Sequence, residues 1–227
     1  MEHELPVWHL FGLIVNSDTV LTSWAVMALI LIVGAVAARR IQQVPSSRQS
    51  LVEIVVDLAQ GLVRDQIGPQ TARYIGFIGS LFLFILLSNW LAILPWKILV
   101  IFGARDVLPP TSDVNTPAAL ALITVGSYFY YGISKKGLSY FKHYLQPVWV
   151  FLPLNILEDF SRPLALTFRL FGNVTAEHLV VGVLSLLVPL LIPLPMMALG
   201  LLTGAIQAYV FALLAASYIG GAVRDSH

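Results

Sequence analysis

Residues 157–178 read LEDFSRPLALTFRLFGNVTAEH, and this stretch decides how the chain can fold. It lies in a long apolar region, yet it carries nearly all the charge found between Lys142 and Arg224. At about 100° per residue of α-helix, its polar side chains fall within an arc about 100° wide, whereas His178 lies off that arc. This polar stripe consists of Asn155, Glu158, Asp159, Arg162, Arg169, Asn173 and Glu177.

The polar stripe predicts a function because the other faces of the segment are apolar. An ionisable side chain inside a bilayer costs at least ~2.5–3.5 kcal/mol, so it normally faces a protein interior or water. A guanidinium does not lose its proton in a protein, so Arg169 would be a fixed positive charge and not a proton carrier. We therefore expect the stripe to handle ions, with Arg169 as a gate. The alternative is a structural role in which Arg169 ties two helices together by pairing with Glu177 or Gln207.

The composition indicates a membrane protein. Of the 227 residues, 58% are hydrophobic and 11% are charged, whereas about a quarter are charged in an ordinary soluble domain. The net charge of +1 and the lack of a basic patch with interleaved aromatic residues give no indication of nucleic-acid binding. We expect an all-α integral membrane protein with a single domain over residues 1–227.

Uncharged or weakly charged runs predict five transmembrane helices. A sixth helix, over residues 51–67, places Glu53, Asp57, Gln60 and Arg64 on one side and is predicted to lie at the membrane interface. The fourth crossing is too long for an upright helix, because about 40 residues span roughly 60 Å and a bilayer core is ~30 Å thick. It should therefore be strongly tilted, with Pro163 as a point of bending. The predicted spans are residues 19–38, 76–95, 117–133, 150–188 and 196–222.

The distribution of Lys and Arg predicts the orientation. Segment 39–73 has five such residues and segment 134–146 has three, while the 97–115 loop has two and the N-terminal segment has none. The N-terminus is thus expected outside or in the lumen, and the C-terminus in the cytoplasm or stroma.

The last predicted helix carries Gly200, Thr203, Gly204 and Gln207 on one face. Small residues let two membrane helices approach closely, and Gln207 could form a hydrogen bond across the interface. The preceding helix is the expected partner, which would bring Gln207 near Arg169.

The remaining motifs exclude several kinds of chemistry. The chain has no cysteine, no Gly-rich phosphate loop, no HExxH and no Ser-His-Asp pattern, and its five histidines lack metal-ligand spacing, so we expect neither a cofactor nor a metal. Glu177 and His178 are expected on an outer proton path. Glu158 and Asp159 either line a polar inner opening or only pair with Arg162. Tryptophans and tyrosines at span ends are interpreted as interface residues, and the role of Asn89 is left open.

The sequence around Arg169 resembles subunit a of F-type ATP synthases, with the cyanobacterial and plastid forms nearest in pattern. The resemblance rests on SRPLALTFRLFGNVTAEH at 161–178 and AIQAYVFALLAASYIGG at 205–221. It extends over most of the chain from about Thr22 onward. Further matching stretches are SNWLAILPWK, PTSDVNTPAALAL, YFYYGISKKGL and LPLNILEDFSRP.

The resemblance implies a non-catalytic, proton-translocating stator in a thylakoid or bacterial plasma membrane. The implied partners are a rotating ring of c subunits, b-type peripheral stalk subunits and the remainder of the F1Fo complex. The position that matches Arg169 would separate two aqueous half-channels and face a carboxylate of the ring. The outer path would comprise Asn173, Glu177, His178 and Gln207, and the inner path Asn155, Glu158 and Asp159. The ion, H⁺ or Na⁺, stays open, because ion choice in this family is set largely on the ring.

The chain departs from the family pattern at two places. An acidic pair is typical of the plastid-like pattern where this chain has Glu177–His178, so His178 replaces the expected outer glutamate and Glu177 would take over its role. Gly200 stands where some bacterial relatives have a histidine. A self-contained ion channel or secondary transporter is the alternative function, although the chain shows no internal repeat. A purely structural scaffold would leave the polar stripe unexplained.

Overall fold

A computed structural model describes residues 7–10, 13–38, 47–68, 72–93, 109–137, 140, 152–187 and 193–224. Six α-helices dominate these residues, and a short 3-10 helix, Pro110–Ser112, precedes the fourth. The predicted all-helical class is confirmed for all but one short hairpin. The helices are α1 Ser17–Ala38, α2 Ser47–Ile67, α3 Ala72–Ile93, α4 Asn115–Lys136, α5 Leu152–Leu187 and α6 Pro193–Val223.

Three segments are long and apolar enough to cross a membrane, namely Ser17–Val36, Ala72–Leu91 and Leu194–Val223. Helices α4 and α5 are also long, with 22 and 36 residues. They are less apolar, because α5 carries the polar stripe and α4 carries hydroxyl groups and two terminal lysines. Length and composition therefore support an integral membrane protein, and the count of five crossings remains a prediction.

A two-stranded hairpin precedes α1 and was not predicted from the sequence. Strand β1, Val7–Leu10, pairs antiparallel with β2, Leu13–Asn16, so that Leu10 faces Leu13. Both strands are rich in β-branched, aromatic and large apolar residues. At four residues each, they are too short for an alternating pattern to stand out in the sequence.

Helix α6 lies at the centre of the packing and contacts α2, α3, α4 and α5. Its buried face is rich in alanine and glycine, so neighbouring helices can approach closely. At Gly220 a Cβ atom would overlap the backbone carbonyl of Gln66, which places the end of α2 directly against α6. Close packing around α6 thus holds the other helices in register. Its fully buried residues include Ala208, Phe211, Ala212, Ala215, Ala216 and Ile219.

Helix α2 buries one face against α3 and α6 and exposes the other. The exposed face carries the four polar residues noted in the sequence, together with Ile54, which is 61% exposed. The buried face explains why the helix forms. Its position at the membrane interface remains a prediction. The buried residues are Ala59, Leu62, Val63 and Ile67.

Helix α5 runs without interruption through Pro163 for 36 residues, or about 54 Å at ~1.5 Å per residue. Proline supplies no backbone N–H, and the Thr167 hydroxyl donates to the Pro163 carbonyl at 2.8 Å one turn later. The helix packs against α4 and α6 and leaves a wide apolar face uncovered. This uncovered face includes Leu157, Phe160, Leu164, Phe168, Leu179 and Val183.

Candidate functional site

Arg169 is exposed and belongs to the polar stripe of α5, next in sequence to Phe168, whose ring is 64% exposed on the uncovered apolar face. In the part of the chain that the structure describes, both salt bridges belong to Arg162, and no hydrogen bond or ion pair engages the Arg169 guanidinium. The alternative of a structural tie to Glu177 or Gln207 therefore receives no support from these contacts. Within the described residues the guanidinium has no counter-charge, and a charged group at membrane depth normally faces a protein interior or water.

Arg162, two turns before Arg169, has the opposite environment. Its guanidinium pairs with Glu158 Oε1 at 2.7 Å and with Asp159 Oδ1 at 3.2 Å. The Glu158 side chain is 59% exposed, whereas the side chains of Arg162 and Asp159 are 27% and 19% exposed. Asp159 also accepts a hydrogen bond from the Tyr128 hydroxyl of α4 at 3.0 Å. Asp159 is therefore held by donors from two helices.

Two aromatic rings enclose the Arg162 guanidinium. Its central carbon lies 5.8 Å from the ring centre of Tyr128 on α4 and 5.0 Å from that of Tyr218 on α6. The interpretation of tyrosines at span ends as interface residues is wrong for Tyr128, which is 1% exposed. The spacing Thr124, Tyr128, Gly132 on the buried face of α4 is the signal that could have identified it.

Glu177 lies on the C-terminal half of the polar stripe, which is predicted to face outward and is called its outer half below, and it contacts α6. A Cβ atom added at Gly200 would overlap the Glu177 carboxyl group, so this carboxyl occupies the space that a larger residue would take. The predicted approach of the two helices is confirmed at this point. For Gly204 the partner is different, because a Cβ atom there would lie 3.1 Å from the Cβ of Asn89 on α3.

Several buried polar atoms on α3, α5 and α6 have no hydrogen-bond partner among the described residues. They are Asn173 Nδ2, Thr175 Oγ1, Ser88 Oγ and Gln207 Nε2. Gln207 is 8% exposed on α6 and makes no hydrogen bond to Arg169 within the described part of the chain. Buried polar atoms that lack a protein partner are the groups that ordered water satisfies, so the arrangement is suited to a hydrated path.

Asn89 forms a buried link between α3, the Pro110–Ser112 turn and α6. Its Nδ2 donates to the Gly204 carbonyl at 3.2 Å, and its Oδ1 accepts a hydrogen bond from Thr111 at 3.0 Å. The neighbouring Trp90 indole donates to the Leu201 carbonyl at 3.0 Å. Sequence reasoning left Asn89 open and missed Thr111, since neither residue belongs to a helical polar stripe.

The remaining predicted site residues also lie on α5. Asn155 is half-buried near its inner end, and His178 is half-buried next to Glu177. Within the described ranges, no group of three or more His, Cys, Asp or Glu side chains could hold a metal ion. The arrangement provides charges, hydrogen-bonding groups and a fixed guanidinium, which suit the movement of an ion along a helix surface.

Fold and site together define a helical membrane protein with ionisable groups on one long helix, among them an arginine that has no ion-pair partner in the described ranges. The family model described as ATP synthase A chain matches residues 20–220. A protein of Stigeoclonium helveticum, ATP synthase subunit a, chloroplastic, is 48% identical over 222 residues, which cover 97% of this chain and 90% of that protein. The chain therefore belongs to the ATP synthase A chain family. The predicted resemblance to the plastid forms of subunit a is confirmed by this chloroplast relative.

Proposed function

We propose that the chain is the proton-conducting stator of an F-type ATP synthase in a thylakoid membrane, with Arg169 as the gate between two half-channels. The observation that carries this proposal is the environment of Arg169. The guanidinium is exposed on the polar stripe, beside the uncovered apolar face of α5, and has no counter-charge within the described residues. A carboxylate on a moving ring of c subunits would supply this counter-charge, and each ring subunit would meet Arg169 in turn.

The outer half-channel runs along the interface of α5 and α6. Its proton path comprises Glu177, His178, Asn173 and Gln207, and the buried atoms Asn173 Nδ2 and Gln207 Nε2 support a hydrated passage there. Glu177 takes the place beside Gly200, which is consistent with its replacing an outer glutamate one position later. A proton would pass from this region to the ring carboxylate.

The inner half-channel opens past the end of α5 that carries Asn155, Glu158 and Asp159. A proton released from the ring would leave there after almost a full turn. Arg169 prevents the direct passage between the half-channels, because a permanent positive charge repels a proton that bypasses the ring. A leak would dissipate about 2.3 kcal/mol per elementary charge for each 100 mV of membrane potential.

The remaining parts of the proposal concern topology and partners. Five helices, α1 and α3–α6, cross the membrane, α2 lies at its inner surface, and the N-terminus is in the lumen. The uncovered apolar face of α5 supports a partner of curved shape, the c-ring. The b-type stalk subunits and the rest of the F1Fo complex hold the stator in place, and the chain itself is not catalytic.

The test is ATP-driven acidification of inverted membrane vesicles that carry the whole complex with Arg169→Lys. Lysine keeps a positive charge but is a compact donor that can lose its proton when it is desolvated. We expect pumping to collapse while the complex assembles and hydrolyses ATP. Arg64→Lys, an exposed position on α2, is the matched control and should pump normally. Near-normal pumping by Arg169→Lys would overturn the proposal.

A further inference from the structure

We infer that Tyr128, Asp159, Arg162 and Tyr218 form a rigid lock at the inner end of the chain, and that Asp159 is a positioning residue and not a proton carrier. This inference deepens the proposed function and rests on it, since it divides the inner carboxylates by role. Glu158 is the solvent-exposed carboxylate of the inner half-channel. Asp159 is the carboxylate that hydrogen bonds hold in place.

Asp159 is held in place by hydrogen bonds from two side chains. Its Oδ1 accepts hydrogen bonds from two donors, the Tyr128 hydroxyl at 3.0 Å and an Arg162 nitrogen at 3.2 Å. Hydrogen bonds from two donors, one of them a permanent cation, hold the Asp159 carboxylate in place. Glu158 has one such donor at 2.7 Å and a side chain that is 59% exposed. Glu158 is therefore more open to water than Asp159, whose side chain is 19% exposed.

The enclosure of Arg162 carries the second step. The guanidinium lies between rings of two other helices, Tyr128 on α4 and Tyr218 on α6, so one α5 side chain joins three helices. A planar guanidinium stacks on aromatic rings and binds carboxylates at the same time, which an ammonium group cannot do equally well. The lock thus fixes both the rotation and the depth of α5 at this point.

The position of the lock carries the third step. Arg169 follows Arg162 by seven residues, or two helical turns, so the two guanidinium groups project from the same side of α5. Tyr218 lies within electrostatic reach of both arginines. Since an α-helix is stiff over two turns, fixing Arg162 between α4 and α6 also fixes where Arg169 meets the ring.

The experiment compares Asp159→Asn with Asp159→Glu in the assembled complex in inverted vesicles. A proton carrier needs a carboxyl group, so it would tolerate Glu and fail with Asn. A lock needs a short acceptor in place, so Asn, which keeps an oxygen at the same distance, should retain most of the ATP-driven pumping. Glu is one methylene longer, displaces the Tyr128 and Arg162 donors, and should pump less than Asn. Asp57→Asn and Asp57→Glu, at an exposed site on α2, are the matched controls.

The inference is overturned if Asp159→Glu pumps like the parent and Asp159→Asn is silent in assembled complexes. If neither variant assembles, Tyr128→Phe decides, because it removes one donor and keeps the ring. Arg162 then still contacts Asp159, and the other titratable groups described around this cluster are Glu158 of α5, Tyr218 of α6 and Tyr140. A lock predicts a lower yield of complex with an unchanged pH profile of pumping, whereas a shifted profile would show that Asp159 titrates during turnover and would overturn the inference.

The Arg169→Lys variant tests the role of Arg169 as a gate independently of the Asp159 variants. If Arg169→Lys does not pump and Asp159→Glu pumps more than Asp159→Asn, the gate is supported and the lock is not. If Arg169→Lys pumps normally and Asp159→Asn pumps more than Asp159→Glu, the lock is supported and the gate is not.

Discussion

The inner and outer halves of α5 use the same kinds of side chain in opposite ways. On the inner half, Arg162 is paired with two carboxylates and enclosed by two rings. On the outer half, Arg169 has no partner among the described residues, and Asn173 has a buried amide nitrogen without one. Paired groups fix a structure, while unpaired groups are available to water, ions and moving partners.

This comparison separates two kinds of substitution. Changes on the inner half should lower the amount or stability of the assembled complex, because they break contacts between helices. Changes on the outer half should leave assembly intact and alter proton movement.

Arg169→Gln should raise the passive proton leak through the membrane sector. A charged side chain inside a bilayer costs about 2.5–3.5 kcal/mol, and a barrier of this size at Arg169 corresponds to a roughly hundredfold lower leak, which its loss should release. The measurement is the decay of a pH gradient across vesicles that carry the complex without ATP. Arg64→Gln is the control, and a leak equal to that of the control would contradict the role of Arg169 as a barrier.

Gly200→Ala should displace the Glu177 carboxyl group, because the added methyl overlaps it. Overpacking of this kind costs about 1–3 kcal/mol, which corresponds to a severalfold to roughly hundredfold loss of pumping if Glu177 relays the proton. ATP-driven acidification is the measurement. Gly182→Ala on α5, where a Cβ atom meets nothing within 4 Å, is the matched control. Equal pumping by both variants would remove Glu177 from the path or show that its side chain adapts.

Much of the fold and of the site's location could be predicted from the sequence, for a physical reason. Insertion into a bilayer requires long apolar helices, and a charge within them is costly, so Arg169 and the polar stripe stand out by composition and periodicity alone. The resemblance to subunit a of F-type ATP synthases then implies the roles that are proposed for Arg169 and the other stripe residues. Helix α2 was also recognisable, because one buried face and one polar face produce a helical period.

The contacts that distinguish the two halves could not be predicted, because they depend on tertiary packing. Tyr128 belongs to a run of tyrosines that is typical of a membrane interface, and only the approach of α4 to α5 shows that it binds Asp159. Asn89 and Thr111 are distant in sequence from Gly204, with which they form one buried link. The sequence also gave equal weight to Glu158 and Asp159, whose exposure differs in the folded chain.

Arg162→Gln should destabilise the inner half. It removes two ion pairs and the cation between two rings, and it leaves Asp159 with the Tyr128 donor only among the contacts described above. Breaking a buried pair costs about 3–5 kcal/mol, and partial exposure of this cluster lowers the expected loss to about 2 kcal/mol. The measurement is the temperature at which the chain is lost from the solubilised complex. A lower temperature with an unchanged proton leak would separate Arg162 from Arg169.

Thr111→Val should have the smallest effect, and it extends the comparison to the link between α3 and α6. Valine has nearly the shape of threonine but cannot donate to Asn89 Oδ1, which is part of a side chain that is 2% exposed. Leaving this oxygen buried without its donor should cost about 1 kcal/mol, at the low end of the usual range because Asn89 keeps its other hydrogen bond, to the Gly204 carbonyl. The loss temperature of the chain should fall slightly and pumping should persist. Thr111→Ser, which keeps the hydroxyl, is the control, and a larger loss with Ser than with Val would show that the methyl group, and not the hydrogen bond, holds the turn against α3.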